Sequence, residues 1–243
     1  MCVHTCVCLG MHMCAHVHTC LSCLPLQTNL VLIRQQVELV EALLGFETRN
    51  RYTVQSGEGR PLFQAMEKSH LCARLCCGTR RSLHLELADR AGRPCLLLCR
   101  PLRCAACFCP CCLQELEVQC PPGTTLGHVV QTWHPMIPKF SVLTADRDPV
   151  LRIVGPCLAC ACGGDVHFEV KTTDESRGVG RISKQWGGLL QEALTDVDTF
   201  GVQFPLDLDV KVKATLLGAC FLIDLMFFEK TAAGPQPSSV LSP

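Results

Sequence analysis

Charge of one sign is what this sequence lacks. Its 22 Lys and Arg balance 22 Asp and Glu, so the formal charge is zero. That argues against the large basic face that nucleic-acid binding uses. Aromatic residues are scarce at 5%, which weakens any base-stacking role as well. No phosphate-cradling G-x-x-x-x-G-K-[ST] loop occurs. His128 and His134 fall in strand and turn contexts, with no nucleophile, base and orienting group legible around them, so hydrolytic chemistry is not expected. The opening residues have neither the charged, apolar, small order of a secretory signal nor the Arg-rich pattern of a transit segment.

Cysteine, by contrast, is abundant at 21. Disulfide scaffolds are normally small secreted domains. Here the count is odd and many cysteines are adjacent, which suits intrachain bridges poorly. The expectation is a reduced, intracellular chain whose cysteines are modified, metal-bound or buried. Residues 1–23 hold six of the 21 cysteines and four of the nine histidines. Such tracts can bind metal, but no zinc spacing recurs. Residues 1–29 read instead as a low-complexity tail or translated repeat, residues 30–230 as the domain, and 231–243 as a loop-like tail.

Along the domain, Ile33, Val37, Val40 and Leu44 recur at helical spacing, which predicts an amphipathic helix over 30–44. The period then shortens to two. Leu83, Leu85 and Leu87 alternate with His84 and Glu86, Leu116 and Val118 with glutamates, and Phe168 and Val170 with His167 and Glu169. Each stretch predicts a half-buried strand. Gly-, Pro- or Asp-bearing turns separate them at the regular spacing of a sandwich or barrel. A helix is expected over Gly188–Thr195, and a strand from the alternation of Leu206, Leu208 and Val210.

Ala214 to Phe228 is apolar almost throughout, with Ala214, Leu217, Phe221 and Phe228 marking its length and Asp224 its one charge. A helix of that length rises roughly 22 Å. A bilayer's hydrocarbon core is about 30 Å thick. The segment is short for a span and too apolar all round for a surface helix. It either enters a membrane or fills a core. A closed antiparallel barrel removes exposed edges, and one wide enough to hold this helix explains its missing polar face.

The segments GFETRNRY (45–52), RPLRCAACFCPCCLQELEVQCPPGTTLG (100–127), QTWHPMIPKF (131–140), GPCLACACGGDVHFEVKTTDES (155–176) and GRISKQWGGLLQEALTDVDTFGVQFPLDLDVKVKA (180–214) resemble the phospholipid scramblase family. The resemblance runs from about residue 30 to 230. SKQWGGLLQEALTD and MFFEK resemble a mitochondrial member in particular. The family resemblance implies a mainly β fold similar to Tubby C-terminal domains, a closed barrel around a hydrophobic helix. It also implies Ca²⁺-dependent, ATP-independent movement of phospholipids between leaflets. The implied partners are phospholipids, cardiolipin among them, and a membrane surface, the mitochondrial membrane ahead of the plasma membrane. A Pro-rich arm of the family has no counterpart here, which leaves SH3- or WW-type partners without a ligand.

Three constellations map onto family sites. Asp196 to Asp207 resembles a single Ca²⁺ loop. Read as an EF-hand-like twelve, it puts carboxylates from Asp196, Asp198 and Asp207 and the Val202 carbonyl on the ion, with a sharp turn at Gly201. Phe200 stands where an oxygen ligand is expected, so weak affinity is predicted. The other reading is an acidic helix end running into a strand. Cys107, Cys109, Cys111 and Cys112 match the family's palmitoylation cluster; two or more acyl chains anchor firmly where one does not. The rival is a four-thiolate zinc site from Cys104, Cys107, Cys157 and Cys160. Cys72, Cys76, Cys77, Cys157, Cys160 and Cys162 otherwise read as barrel-end residues without an assigned role. GRISKQWG (180–187) resembles a nuclear import segment, against a solvated strand edge.

Two functions remain open: a palmitate-anchored, Ca²⁺-responsive scramblase without covalent catalysis, or a lipid-tethered binding module that moves no lipid. If the apolar helix spans, one copy offers no polar path and a homo-oligomer is required.

Overall fold

The computed structural model describes residues 28–36, 50–68, 81–103, 112–157, 166–185 and 199–228. These form β1 (Leu30–Gln36), β2 (Arg51–Ser56), β3 (Pro61–Glu67), β4 (Leu83–Ala88), β5 (Pro94–Arg100), β6 (Glu115–Cys120), β7 (Thr124–Thr132), β8 (Lys139–Thr144), β9 (Pro149–Val154), β10 (Val166–Lys171), β11 (Gly178–Gln185), β12 (Thr199–Gln203) and one long helix, α1 (Val210–Phe227). Every strand pairs antiparallel with its neighbours in sequence, and β1 pairs with β12 to close the barrel. Closure leaves no edge strand in the sheet.

Period-two alternation builds the wall. Leu83, Leu85 and Leu87 point inward from β4, Leu116 and Val118 from β6, and Phe168 and Val170 from β10; all are buried. The expected helix over 30–44 is corrected at its start, because Leu30–Gln36 is strand β1. Val31 and Ile33 face the core two residues apart, and β1 is registered with both β2 and β12. β-branched residues favour that extended form over a helix. Residues 37–49 and the helix expected over Gly188–Thr195 lie outside the described residues.

The second correction concerns residues 206–210. Leu206 and Leu208 lie in a turn, Leu206 well exposed, and Val210 opens α1. Asp209 decides this. Its carboxylate accepts the backbone N–H groups of Lys211 and Val212 at 2.9 and 3.2 Å, an N-cap that starts the helix four residues before the apolar run.

α1 fills the barrel. Every residue from Lys213 to Leu225 is buried, so the helix has no solvent face. Ala214, Leu217 and Phe221, the predicted core or membrane positions, are at most 3% exposed, and Asp224 is buried with them. Two glycines set how closely helix and wall approach. A Cβ on Gly218 would stand 2.7 Å from a Val118 methyl, and one on Gly127 of β7 would stand 2.5 Å from the Thr215 hydroxyl. Larger residues there would push the helix off the wall.

The strict alternation of direction sorts the connections. Those after odd-numbered strands open at one mouth of the barrel, called here the odd mouth. Those after even-numbered strands, and the N-terminus of α1, lie at the even mouth. The far end of α1 reaches the odd mouth, where Phe227 packs against Phe140 and Phe168, and Phe228 against Phe200.

Candidate functional site

The Ca²⁺ segment is not one loop. Thr199–Gln203 is strand β12, with Phe200 and Val202 directed into the core. Gly201, expected at a sharp turn, is registered between Leu32 and Ser183, and Val202 between Val31 and Ile182. The physical reason is that β12 must pair on both sides to close the barrel. Thr199 therefore stands at the odd mouth and Asp207 beyond the even mouth. A five-residue strand separates them by roughly 17 Å at 3.3 Å per residue. Asp196 and Asp198 lie outside the described residues. Among the described residues, no group of three or more His, Cys, Asp and Glu side chains is placed to hold a metal ion.

Asp207 is exposed and acts on Lys213. Burial lowers the pKa of that ammonium, and the Asp207 charge opposes the shift. Lys213 lies fully buried at the start of α1, donates to the Leu206 carbonyl at 2.7 Å, and stands 5.3 Å from the Phe204 ring centroid.

Of the acylation candidates, Cys112 is described and Cys107, Cys109 and Cys111 are not. Cys112 is half-buried at the odd mouth, and its carbonyl accepts from the Gln114 amide at 2.9 Å. Of the zinc candidates, Cys157 alone is described, also half-buried at the odd mouth. Burial pushes up the thiols of Cys99, half-buried on the outer face of β5 beside Glu117, and of Cys220, buried on α1, so neither offers a thiolate at neutral pH.

A polar layer that sequence reasoning missed lies beneath the odd mouth. Inward alternation continues past the apolar residues into charge: Phe63 and Ala65 to Glu67, Leu96 and Leu98 to Arg100, Ile182 to Lys184, all buried. Arg81 pairs with Glu67 at 2.6 and 3.0 Å through two guanidinium nitrogens, a bidentate, fully buried ion pair. Arg100 donates to Gln114 at 2.9 Å. The Lys184 ammonium lies 5.2 and 5.1 Å from the ring centroids of Phe200 and Phe228, placing a cation at the negative end of α1. The signal was present as parity: each of these charges sits two residues along from a core position.

The outer face carries paired charge. Glu115 meets Arg147 at 2.7 Å, Arg103 at 3.0 Å and buried His128 at 3.7 Å. Gln119 and Thr125 hydrogen-bond Glu117 and hold its carboxyl below the usual range. On the opposite flank, a groove of about 680 Å³ runs between the β10–β11 turn and the residues after β12. Glu169, Lys171, Glu175, Arg181 and Gln203 line it, with Phe204 beside them. Lys171 bonds Glu169 at 2.9 Å, and Lys139 bonds Glu175 at 2.6 Å; both carboxyls are held low by those lysines. GRISKQWG begins on β11, at Gly180, rather than on an edge, since β11 pairs with both β10 and β12.

A mainly β barrel that closes on its own first and last strands and swallows its own apolar helix defines the class. The chain belongs to the Scramblase family, whose model matches residues 9–230. It is 53% identical over 214 residues to human phospholipid scramblase 1, covering 88% of this chain and 67% of that protein. It is 54% identical over 205 residues to bovine phospholipid scramblase 2, covering 84% and 70%, and 49% identical over 208 residues to human phospholipid scramblase family member 5, covering 86% and 77%. The chain spans about two thirds of the length of the human and rat scramblase 1 proteins, 67% and 64%. No solved structure matches.

Proposed function

We propose that this chain moves phospholipids between membrane leaflets without ATP and without covalent catalysis. The observation that carries the reading is the family match over residues 9–230, with half-identical relatives named phospholipid scramblases. The filled barrel shapes the mechanism. Its interior is closed by α1 and apolar side chains, so a polar head group has no route through it. The path in this proposal lies outside the wall, so that a head group need not cross the apolar filling.

Attachment in this proposal comes from acyl chains on Cys107, Cys109, Cys111 and Cys112. Ca²⁺ acts through Asp196 and Asp198, with Asp207 working separately on Lys213. The resemblance of SKQWGGLLQEALTD and MFFEK to a mitochondrial member is the ground for including a mitochondrial membrane, and cardiolipin among the lipids moved, in this proposal.

The second reading is a tethered binding module. It is favoured by the burial of α1 on every side and by the absence, among the described residues, of any helix long and apolar enough to cross a membrane. Dithionite quenching of fluorescent lipid in proteoliposomes decides between them. Ca²⁺-dependent quenching beyond the outer-leaflet fraction is expected, lost in Asp196→Ala/Asp198→Ala and retained in Asp207→Ala. Loss in Asp207→Ala alone would restore the single twelve-residue site. Quenching held at the outer-leaflet fraction, with the barrel folded, leaves the tethered module.

A further inference from the structure

Five large apolar side chains are notably exposed among the described residues: Met66, Leu102, Trp133, Met136 and Leu206. Four of them sit at or beside the odd mouth, and three of these form its outermost rim: Leu102 at 62% exposure, Trp133 at 48% and Met136 at 53%. Strand register brings them together. The β5–β6 pairing, carried outward from Cys99 and Glu117, sets Leu102 beside Gln114. Gln131 donates its backbone N–H to the Gln114 carbonyl at 2.8 Å. The same register carried on two residues brings Cys112 alongside Trp133.

The tip is preorganised. His134 Nδ1 accepts the backbone N–H groups of Met136 and Ile137 at 3.2 and 3.0 Å. The Pro138 carbonyl accepts from Gly155 at 2.8 Å. Pro135 and Pro138 restrict the backbone further. Two apolar side chains are thus held outward on a stiff loop, and ordering them on binding costs little. A polar collar lies just inside: Gln114, Gln131 and Arg103, the last donating to the Leu113 carbonyl at 2.7 Å and pairing with Glu115.

We infer that this rim is the face that seats the barrel on a bilayer, with Trp133, Met136 and Leu102 entering the head-group and upper acyl region. Apolar tips above a polar collar match the gradient of a membrane interface, where an indole is favoured because one side is apolar and one is polar. The exposed apolar area, on the order of 300 Å², is the size of the largest apolar patch on a typical monomer, which is often a functional one. Acyl chains on Cys112, if attached as proposed above, would enter the same plane. The inference therefore deepens the lipid reading, and it can fail independently of it.

The test uses the full chain carrying Trp186→Phe, which leaves Trp133 as the sole tryptophan of two. It is reconstituted into phosphatidylcholine vesicles containing some phosphatidylserine and lipid brominated at the upper acyl chain. Trp133 emission is expected to shift to the blue, to be quenched by bromine and to be shielded from aqueous iodide. In separate binding assays, Trp133→Ser should lower vesicle partitioning about tenfold, the loss of one buried large side chain. His134→Ala should lower it as well while the β circular-dichroism spectrum is kept. Iodide quenching that is equal with and without lipid overturns the inference. So does Trp133 shielding that tracks protein concentration in lipid-free solution, which would assign the rim to a second copy. Dithionite quenching in the same vesicles reads the transport proposal separately: a lipid-buried Trp133 without scrambling sinks transport and leaves the rim, and scrambling with a water-exposed Trp133 does the reverse.

Discussion

Single residues carry unusual weight at the odd mouth, because charge is buried there. Breaking a buried pair leaves an uncompensated ion, which typically costs about 3–5 kcal/mol. Arg81→Ala should therefore lower the free energy of urea unfolding by about 3–5 kcal/mol, through loss of the bidentate contact to the buried Glu67 carboxylate. Arg81→Met/Glu67→Leu should recover much of it, since an apolar pair of similar volume is often neutral. A double-mutant result as poor as the single one would mean that packing, rather than charge, governs the site. In the β10–β11 turn, Thr172 and Ser176 donate to Asp174 and hold its carboxyl down to about 2 from an ordinary 3.8. A depressed carboxylate stabilises above its unfolded pKa, and that stability is lost as pH falls through the folded value. Carboxyl NMR titration should place Asp174 near 2, and Ser176→Ala should move it back toward 3.8.

At the scale of elements, α1 depends on close approach to the wall. Gly218→Val must displace Val118 and Leu116, whose methyl groups lie 2.7 and 3.0 Å from the first added carbon. Overpacking of that kind costs about 1–3 kcal/mol. A drop of that size in thermal or denaturant stability is expected, and an unchanged midpoint would show that the helix can slide. The strands were legible because leucines, valines and phenylalanines alternate with charge, and α1 was legible because its apolar run has no polar face. β1 was misread because Val31 and Ile33 begin a series that Val37, Val40 and Leu44 continue at helical spacing. Short apolar stretches fit both periods, and the pairing with β12 that settles the matter comes from residues far along the chain. Leu206, Leu208 and Val210 failed for the opposite reason: three apolar residues mimic a strand, while the capping carboxylate of Asp209 overrides them. Within the expected Ca²⁺ loop, Thr199–Gln203 is strand β12, because pairing with β1 and β11 outweighs a turn at Gly201.

For the whole molecule, closure is the controlling fact. β1 is bonded on both sides, to β2 and to β12. Removing residues 1–36 would open two strand edges at once and uncover the apolar face of α1 behind them. Such a chain should aggregate when the intact one does not, as light scattering after size exclusion would show; a soluble monomer would mean that the remaining strands reclose.

The position of α1 after all twelve strands has a consequence for how the protein is made. A ribosome delivers the wall first and its filling last. Until Thr199–Gln203 emerges, β1 has no β12 to meet, and until Val210–Phe227 follows, the inward leucines, valines and phenylalanines have no centre to pack against. Nascent chains in that state expose an apolar lining and two unpaired edges, the species that chaperones bind and that aggregate readily. Assembly is thus postponed until α1 has been made, when distant segments must find each other at the slow pace of high-contact-order folds. A transcript cut short before α1 would yield a wall without a centre, so cellular quality control has a simple cue for discarding incomplete copies.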